Sequence, residues 1–435
     1  MRCRARRAAL VLAMVVGCGG DKGDDGPVTI GLLAPKSGAL EQVGLSFEKV
    51  ATIAVANIND LGGIDGRDLE LLVEDTGTVA ENAPLRLQAL IDAGAIAVVG
   101  PATSGEVEQA WPVAKANKVP IMSPSSTAPA LSQIPPIGPD DDGYLFRNVP
   151  DDNVQSIAMA YYLRRARDPL VDQVAILYES GPYGTGLKDA FRASFENVAP
   201  GMVVKQVTYE QNLANEAAAR TVIDELAAGG TPDMVVLIAL EQDAVKLVNA
   251  WHNNGNPVLP TLEWFMTDGA RSGGFLTGAG PKVAGMCGTA PTYPESGSAY
   301  GALEDRWNAA YPGQNLADQV YAPNVWDAFH LIAAAMIAQA NTYPGEPLGG
   351  AHLRDEITTV SDEGQIFNAR EWRTMISALR RGNDVDFDGA SGPTNIEAGQ
   401  TIGPYEVWCI SPDGAAFERQ LFLEAEDLRM LLDAP

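Results

Sequence analysis

From residue 28 onward, short continuous apolar runs alternate with longer stretches whose apolar residues recur every three or four positions. VTIGLLAP (28–35) predicts a strand. Phe47, Val50, Ala51, Ala54, Ile58 and Leu61 follow at helical spacing, and Gly62-Gly63 stops that helix. The same reading predicts strands at 69–75, 96–101, 120–124, 174–180, 202–209, 234–240 and near 262–266. Helices are predicted at 80–93, 104–117, near 153–166, and at 184–197, 214–228 and 242–254. LIAAAMIAQA (331–340) is too short to span a bilayer and predicts a buried helix. The strands are continuous rather than alternating in hydrophobicity, as expected when helices cover both faces of a parallel sheet. The fold class is therefore α/β. There are too many units for one compact layer, and the Pro- and Asp-rich stretch 134–144 separates two series of similar length. Two lobes are expected.

Composition removes several function classes. The chain has 435 residues, 46% hydrophobic, and carries 30 basic against 56 acidic side chains, a formal charge of -26. A chain this acidic is a poor match for nucleic acid or for anionic lipid. Three histidines lie far apart, and Cys3, Cys18, Cys287 and Cys409 show no CxxC or CxxH spacing. No metal or cofactor is expected.

The first residues set the compartment. Arg2, Arg4, Arg6 and Arg7 precede the apolar run Ala8–Val16, which has the length of a signal-peptide core rather than a membrane span. Val15-Val16-Gly17-Cys18 resembles a bacterial lipoprotein box, in which cleavage leaves Cys18 as the acylated first residue. The alternative is an ordinary secretory signal cut near Gly20. Residues 1–17 thus read as a signal peptide, and 18–27 as a lipidated cysteine with a flexible Gly/Asp-rich linker. Loss of the four leader arginines takes the formal charge from -26 to -30. In an oxidising compartment Cys287 and Cys409 then form an even pair, either bonded to each other or buried as separate thiols.

Open α/β sheets bind ligands beyond the carboxyl ends of their strands. Thr103-x-x-Glu106 follows one strand as a capping box, and the N–H groups of that helix start, with the Ser104 hydroxyl, suit a carboxylate. Ser125-Ser126-Thr127 follows the next strand, Tyr183 lies in the Gly-rich turn after 174–180, and Asp268 follows the strand near 262–266. Taken singly, each also reads as a cap or turn residue. Enzymatic motifs are absent or broken. Ser46-x-x-Lys49 lacks its companion motifs, and Gly184-x-Gly186 lacks the third glycine of a dinucleotide turn. Asp384-x-Asp386-x-Asp388 begins like a calcium loop but has Asn395 where glutamate belongs.

Several segments together resemble the branched-chain amino-acid-binding proteins of ABC transporters, a type I periplasmic-binding fold. They are IGLLAPKSG (30–38), INDLGGIDGRDLELLVEDT (58–76), VVGPATSG (98–105), VPIMSPSSTAPAL (119–131), LYESGPYGTGL (177–187), FDGASGP (387–393) and GPYEVW (403–408), in the family's order. The resemblance implies two lobes joined by a three-segment hinge, with lobe 1 at 28–147 and 290–401 and lobe 2 at 148–289 and 402–435. It implies a ligand carboxylate held by Ser104 and Thr127, and an ammonium held by Thr127, the Ser125 carbonyl and Asp268, with Tyr183 reaching in from lobe 2. It also puts Cys287 and Cys409 in one lobe near the hinge strands, which favours a disulfide. Two positions depart from the leucine-selective member. Val43 stands in place of a tryptophan, and Leu240-Glu241 in place of tyrosines. Glu241 is read either as an extra acid facing the ligand or, preferably, as an exposed helix-start residue.

The implied function is an extracytoplasmic, monomeric solute-binding lipoprotein. It would deliver an amino acid or related small carboxylate to an ABC permease. A sensory protein on the same fold is the runner-up, and a secreted α/β enzyme is disfavoured for want of a nucleophile–base or metal constellation.

Overall fold

The computed structural model describes residues 26–134, 143–198, 200–229, 232–255, 262–293, 297–396 and 403–432. The expected signal peptide, Cys18 and most of the expected linker fall outside them. Three sheets organise the chain. The first is parallel throughout, in the order β2-β1-β3-β4-β5, from β1 (Val28–Ala34), β2 (Leu69–Asp75), β3 (Val98–Val99), β4 (Ile121–Ser123) and β5 (Leu145–Arg147). The second contains β6 (Gln173–Glu179), β7 (Met202–Tyr209), β8 (Met234–Ile238), β9 (Glu263–Met266) and β10 (Cys287–Pro291). A small third sheet holds β11 (Gln365–Phe367), β12 (Val385–Gly389) and β13 (Gly392–Pro393). The chain then returns to the second sheet as β14 (Tyr405–Ile410) and β15 (Phe417–Leu423), giving the order β15-β14-β10-β9-β8-β6-β7. Only β14 and β15 run antiparallel to their neighbours there.

The central strands are buried along almost their whole length, β8 without exception, because helices cover both faces of each sheet. Helix Glu41–Asp60 buries Phe47, Val50, Ala54 and Ile58 at the predicted spacing. Helix Ala322–Thr342 contains the predicted 331–340 segment and packs against helix Glu41–Asp60. Among the described residues no helix is long and apolar enough to cross a membrane.

Two expectations shift. Of the 96–101 strand only Val98–Val99 is regular, for Gly100, although its N–H donates to Met122 O at 2.7 Å, turns at φ 103 and Pro101 has no N–H to donate. The helices predicted near 153–166 and at 184–197 each end in a π-type turn, at Tyr162–Ala166 and Ser194–Val198. The Asp386 and Asp388 of the calcium-like run lie on β12, and its neighbours Ala390 and Ser391 donate backbone N–H bonds to buried Asp327.

The two large units touch along one seam. Asn212 Nδ2 donates to Thr78 O at 2.9 Å, and the position of a Cβ on Gly105 lies 3.5 Å from Pro182 Cδ. Where the chain first leaves the first sheet, Asn148 and Asn324 exchange side-chain-to-carbonyl bonds of 2.7 and 2.6 Å. Cys287 and Cys409 stand opposite each other on β10 and β14 and form a disulfide.

Candidate functional site

A pocket opens between the two units, at the carboxyl ends of β3, β6, β8 and β9. From the first unit, helix Ser104–Asn117 points its start into it. Thr103 Oγ1 accepts from Glu106 N at 3.2 Å, and Glu106 Oε2 accepts from Thr103 N at 2.9 Å, so the capping box is complete. Glu106 is fully buried, and loss of solvent pushes its carboxyl up despite those bonds. Thr103, Ser104 and Gly105 line the pocket. Ser104 Oγ accepts from Ala128 N at 3.1 Å, which leaves its own proton to be donated. Ser125 also lines the pocket, and its hydroxyl donates to Ala102 O at 2.8 Å, tying the two strand-end turns together. Thr127 is buried behind this layer, with its Oγ1 unpartnered among the described residues.

From the second unit come Tyr183, in the first turn of helix Pro182–Ala193, and Asp268, just past β9. Asp268 is 4% exposed. Its Oδ1 accepts from Gln155 Nε2 at 2.7 Å and from the Tyr183 hydroxyl at 3.0 Å, and its Oδ2 from the Tyr321 hydroxyl at 2.5 Å. With its proton on Asp268, Tyr183 accepts from the Thr267 hydroxyl at 2.8 Å. Burial pushes the Asp268 carboxyl up, and pushes the Tyr183 and Tyr321 phenols well up. Among the described residues no lysine or arginine lines the pocket or pairs with Asp268. One wall therefore offers a helix start and a hydroxyl, suited to an anion. The opposite wall offers a buried carboxylate with only neutral donors around it. Between them Leu40, Val43, Leu240 and Val320 form an aliphatic surface.

Glu241 corrects the reading of an exposed helix-start residue. It opens helix Glu241–His252 but is fully buried, because it faces the other unit rather than water. Its Oε1 accepts from Gln242 Nε2 at 2.7 Å, and the backbone of Gln42 and the Ser272 hydroxyl lie beside it. It does not line the pocket, whereas Leu240 does.

Tyr321 was not anticipated. It precedes helix Ala322–Thr342 with φ 62, a left-handed backbone that is rare for an aromatic residue. Nothing in its local sequence announces that. Asp152 and Gln155 were also missed, although their i, i+3 spacing on a predicted helix already puts them on one face. Glu179, another lining residue, accepts from Gly181 N and Gly184 N and so caps helix Pro182–Ala193.

Two α/β units around a small pocket, with a helix start on one wall and a buried carboxyl on the other, define a small-molecule-binding protein. The chain belongs to the periplasmic binding protein family, whose model matches residues 27–405. The family and fold are those of solute-binding proteins rather than enzymes, and membership implies an extracytoplasmic location. The chain is 25% identical over 388 residues to the chemotactic signal transduction system substrate-binding protein BasB of Halobacterium salinarum, covering 86% of this chain and 84% of that one. It is 32% identical over 167 residues to the Leu/Ile/Val-binding protein BraC3 of Rhizobium johnstonii, covering 38% and 43%. Among solved structures it is similar to the branched-chain amino acid transporter substrate binding protein LivJ from Streptococcus pneumoniae in complex with isoleucine. That match has a TM-score of 0.71 at 22% identity and covers 92% of this chain and 99% of that one. It establishes the type I periplasmic-binding fold.

Proposed function

We propose that this protein captures an amino acid, or a related small carboxylate, between two lobes and delivers it to an ABC permease. The observation that carries the reading is the pairing of opposite demands across one pocket. The Ser104 helix start faces the cleft from one side, and buried Asp268, without a cation, faces it from the other. In this reading Ser104 and the adjacent N–H groups bind the ligand carboxylate. Thr127, the Ser125 carbonyl and Asp268 bind the ammonium, and Tyr183 orients Asp268. The lobes are 28–147 with 290–401, and 148–289 with 402–435. A lipid on Cys18 tethers a monomer to the membrane near its permease.

Thermal-shift screening over amino acids, amides and aromatic acids tests this. At least one α-amino acid should raise the melting temperature, and the Ser104→Ala/Thr127→Ala double variant should abolish that rise. A screen without any response, together with an unaltered double variant, would overturn the reading. The likeness to BasB favours a second one, ligand sensing through a membrane partner. Permease and ATPase genes beside this gene support import, and a transducer gene beside it supports sensing.

A further inference from the structure

Behind the pocket, beside Thr127, lie buried oxygens of Asp152 and Gln155 that the ligand contacts above leave unused. Asp152 opens helix Asp152–Tyr161 and is fully buried. Its N–H donates to the Thr127 carbonyl at 2.9 Å, which brings its carboxyl beside the Thr127 hydroxyl, though without the geometry of a full hydrogen bond. Both carboxyl oxygens of Asp152, Thr127 Oγ1 and Gln155 Oε1 lack a hydrogen bond among the described residues. Gln155 spends its amide N–H on Asp268. Asp152 and Gln155 lie three residues apart on one helix, and Gln155 holds Asp268, so the two buried carboxyls are neighbours.

The other charged or titratable groups facing this pair are Arg147, Asp151, Tyr183, Tyr321 and Tyr405. Arg147 is engaged by the Ser126 and Ala128 carbonyls and the Ser132 hydroxyl, and the three phenols are kept neutral by burial. Burial, and then the charge of Asp268, push the Asp152 carboxyl well up. Arg147 offsets only part of this, since burial and the charge of Asp268 outweigh it at Asp152, so one of the two buried carboxyls keeps a proton. A primary ammonium brings both a positive charge and three N–H donors to these unpartnered acceptors.

Resting on the amino-acid reading of this site, we propose that Asp152 holds a proton while the cleft is empty and releases it to solvent as the ligand's ammonium docks against Thr127 and Asp268. The Asp152 O–H bond breaks, the proton passes to water, and the ammonium keeps its own protons. Capture is therefore selective for amines and coupled to proton release. Lowering the pH refills Asp152 and weakens capture. Raising it strengthens capture by up to about tenfold per pH unit, until the empty protein has lost that proton.

Calorimetric titration of the mature chain against the twenty protein L-amino acids identifies the tightest. That one is then titrated at one pH in phosphate and in Tris, whose different protonation heats report the protons released. Up to one proton per ligand is expected for the amino acid and none for its des-amino carboxylic acid. Asp152→Asn should abolish the release and weaken the amino acid by about tenfold or more, without changing the affinity for the des-amino acid. If Asp152→Asn fails to fold, the wild-type comparison of the two ligands still decides. An amino acid that binds without proton release, or an Asp152→Asn variant that still releases it, overturns this inference alone. Binding of no amino acid at all sinks the reading it rests on.

Discussion

Gly186→Ala places one methyl in the seam between the lobes. Gly186 lies in helix Pro182–Ala193, and a Cβ there would stand 2.9 Å from Pro129 Cδ and 3.7 Å from Ala128 Cβ, both in the unit of the first sheet. Carbon–carbon contacts are optimal near ~3.5–4.0 Å, so Pro129 must retreat by at least about half an ångström. Forcing a methyl into a packed seam costs about 1–3 kcal/mol. If only the closed form holds ligand, that is about a 5- to 150-fold loss of affinity. Helix propensity acts with the opposite sign. Alanine is favoured over glycine in a helix by about 1 kcal/mol, and this gain is shared by open and closed forms. The ligand-free variant should therefore melt at or above the wild-type temperature, while its Kd rises at least about fivefold. Thermal melting without ligand and calorimetric titration with the tightest amino acid measure the two effects separately. An unchanged Kd would show that this seam does not take part in closure. A lower melting temperature would show that the methyl damages the lobe itself.

Asp268→Asn removes the charge while keeping the shape, and should weaken an amino acid by at least about tenfold, read by the same calorimetry. His330 is buried, with Nδ1 against Trp326 O and Nε2 against Asn57 Nδ2, and desolvation lowers its pKa to about 4. Its contribution is complete above the unfolded value of about 6.5 and is lost as pH falls toward 4. Burial raises the pKa of Asp327, one turn earlier, to about 7, so its contribution runs the other way and is lost as pH rises from about 4 to 7. The two should offset in denaturant unfolding between pH 4 and 6.5. Asp327→Asn should unmask a fall of about 1.4 kcal/mol per unit as pH drops, and a flat profile in that variant would refute the assignment. Reducing the Cys287–Cys409 bond, which spans 122 residues, should lower stability by about 2–5 kcal/mol, visible as a lower melting temperature in dithiothreitol.

Much of the architecture could be read along the chain. Strands such as β6 and β8 are continuous apolar runs because helices cover both their faces, and that burial dictates composition directly. The Thr103–Glu106 box was legible because both partners lie within one helical turn. The third sheet was not, since β11 and β13 are too short to carry a period of their own. Glu241 misled because a helix start is usually wet, and nothing local marks one that abuts the other lobe.

That Ser104, Tyr183 and Asp268 line the pocket could be anticipated from strand-end residues, since a position after a parallel strand is a position at the cleft. What surrounds Asp268 could not. Gln155, Tyr183 and Tyr321 reach it from segments separated by 113, 85 and 53 residues. Local signals report only on neighbours within a turn or a pleat. Whether a carboxyl is left without a cation, and whether a tyrosine is held in a left-handed backbone to reach it, depends on how distant segments pack.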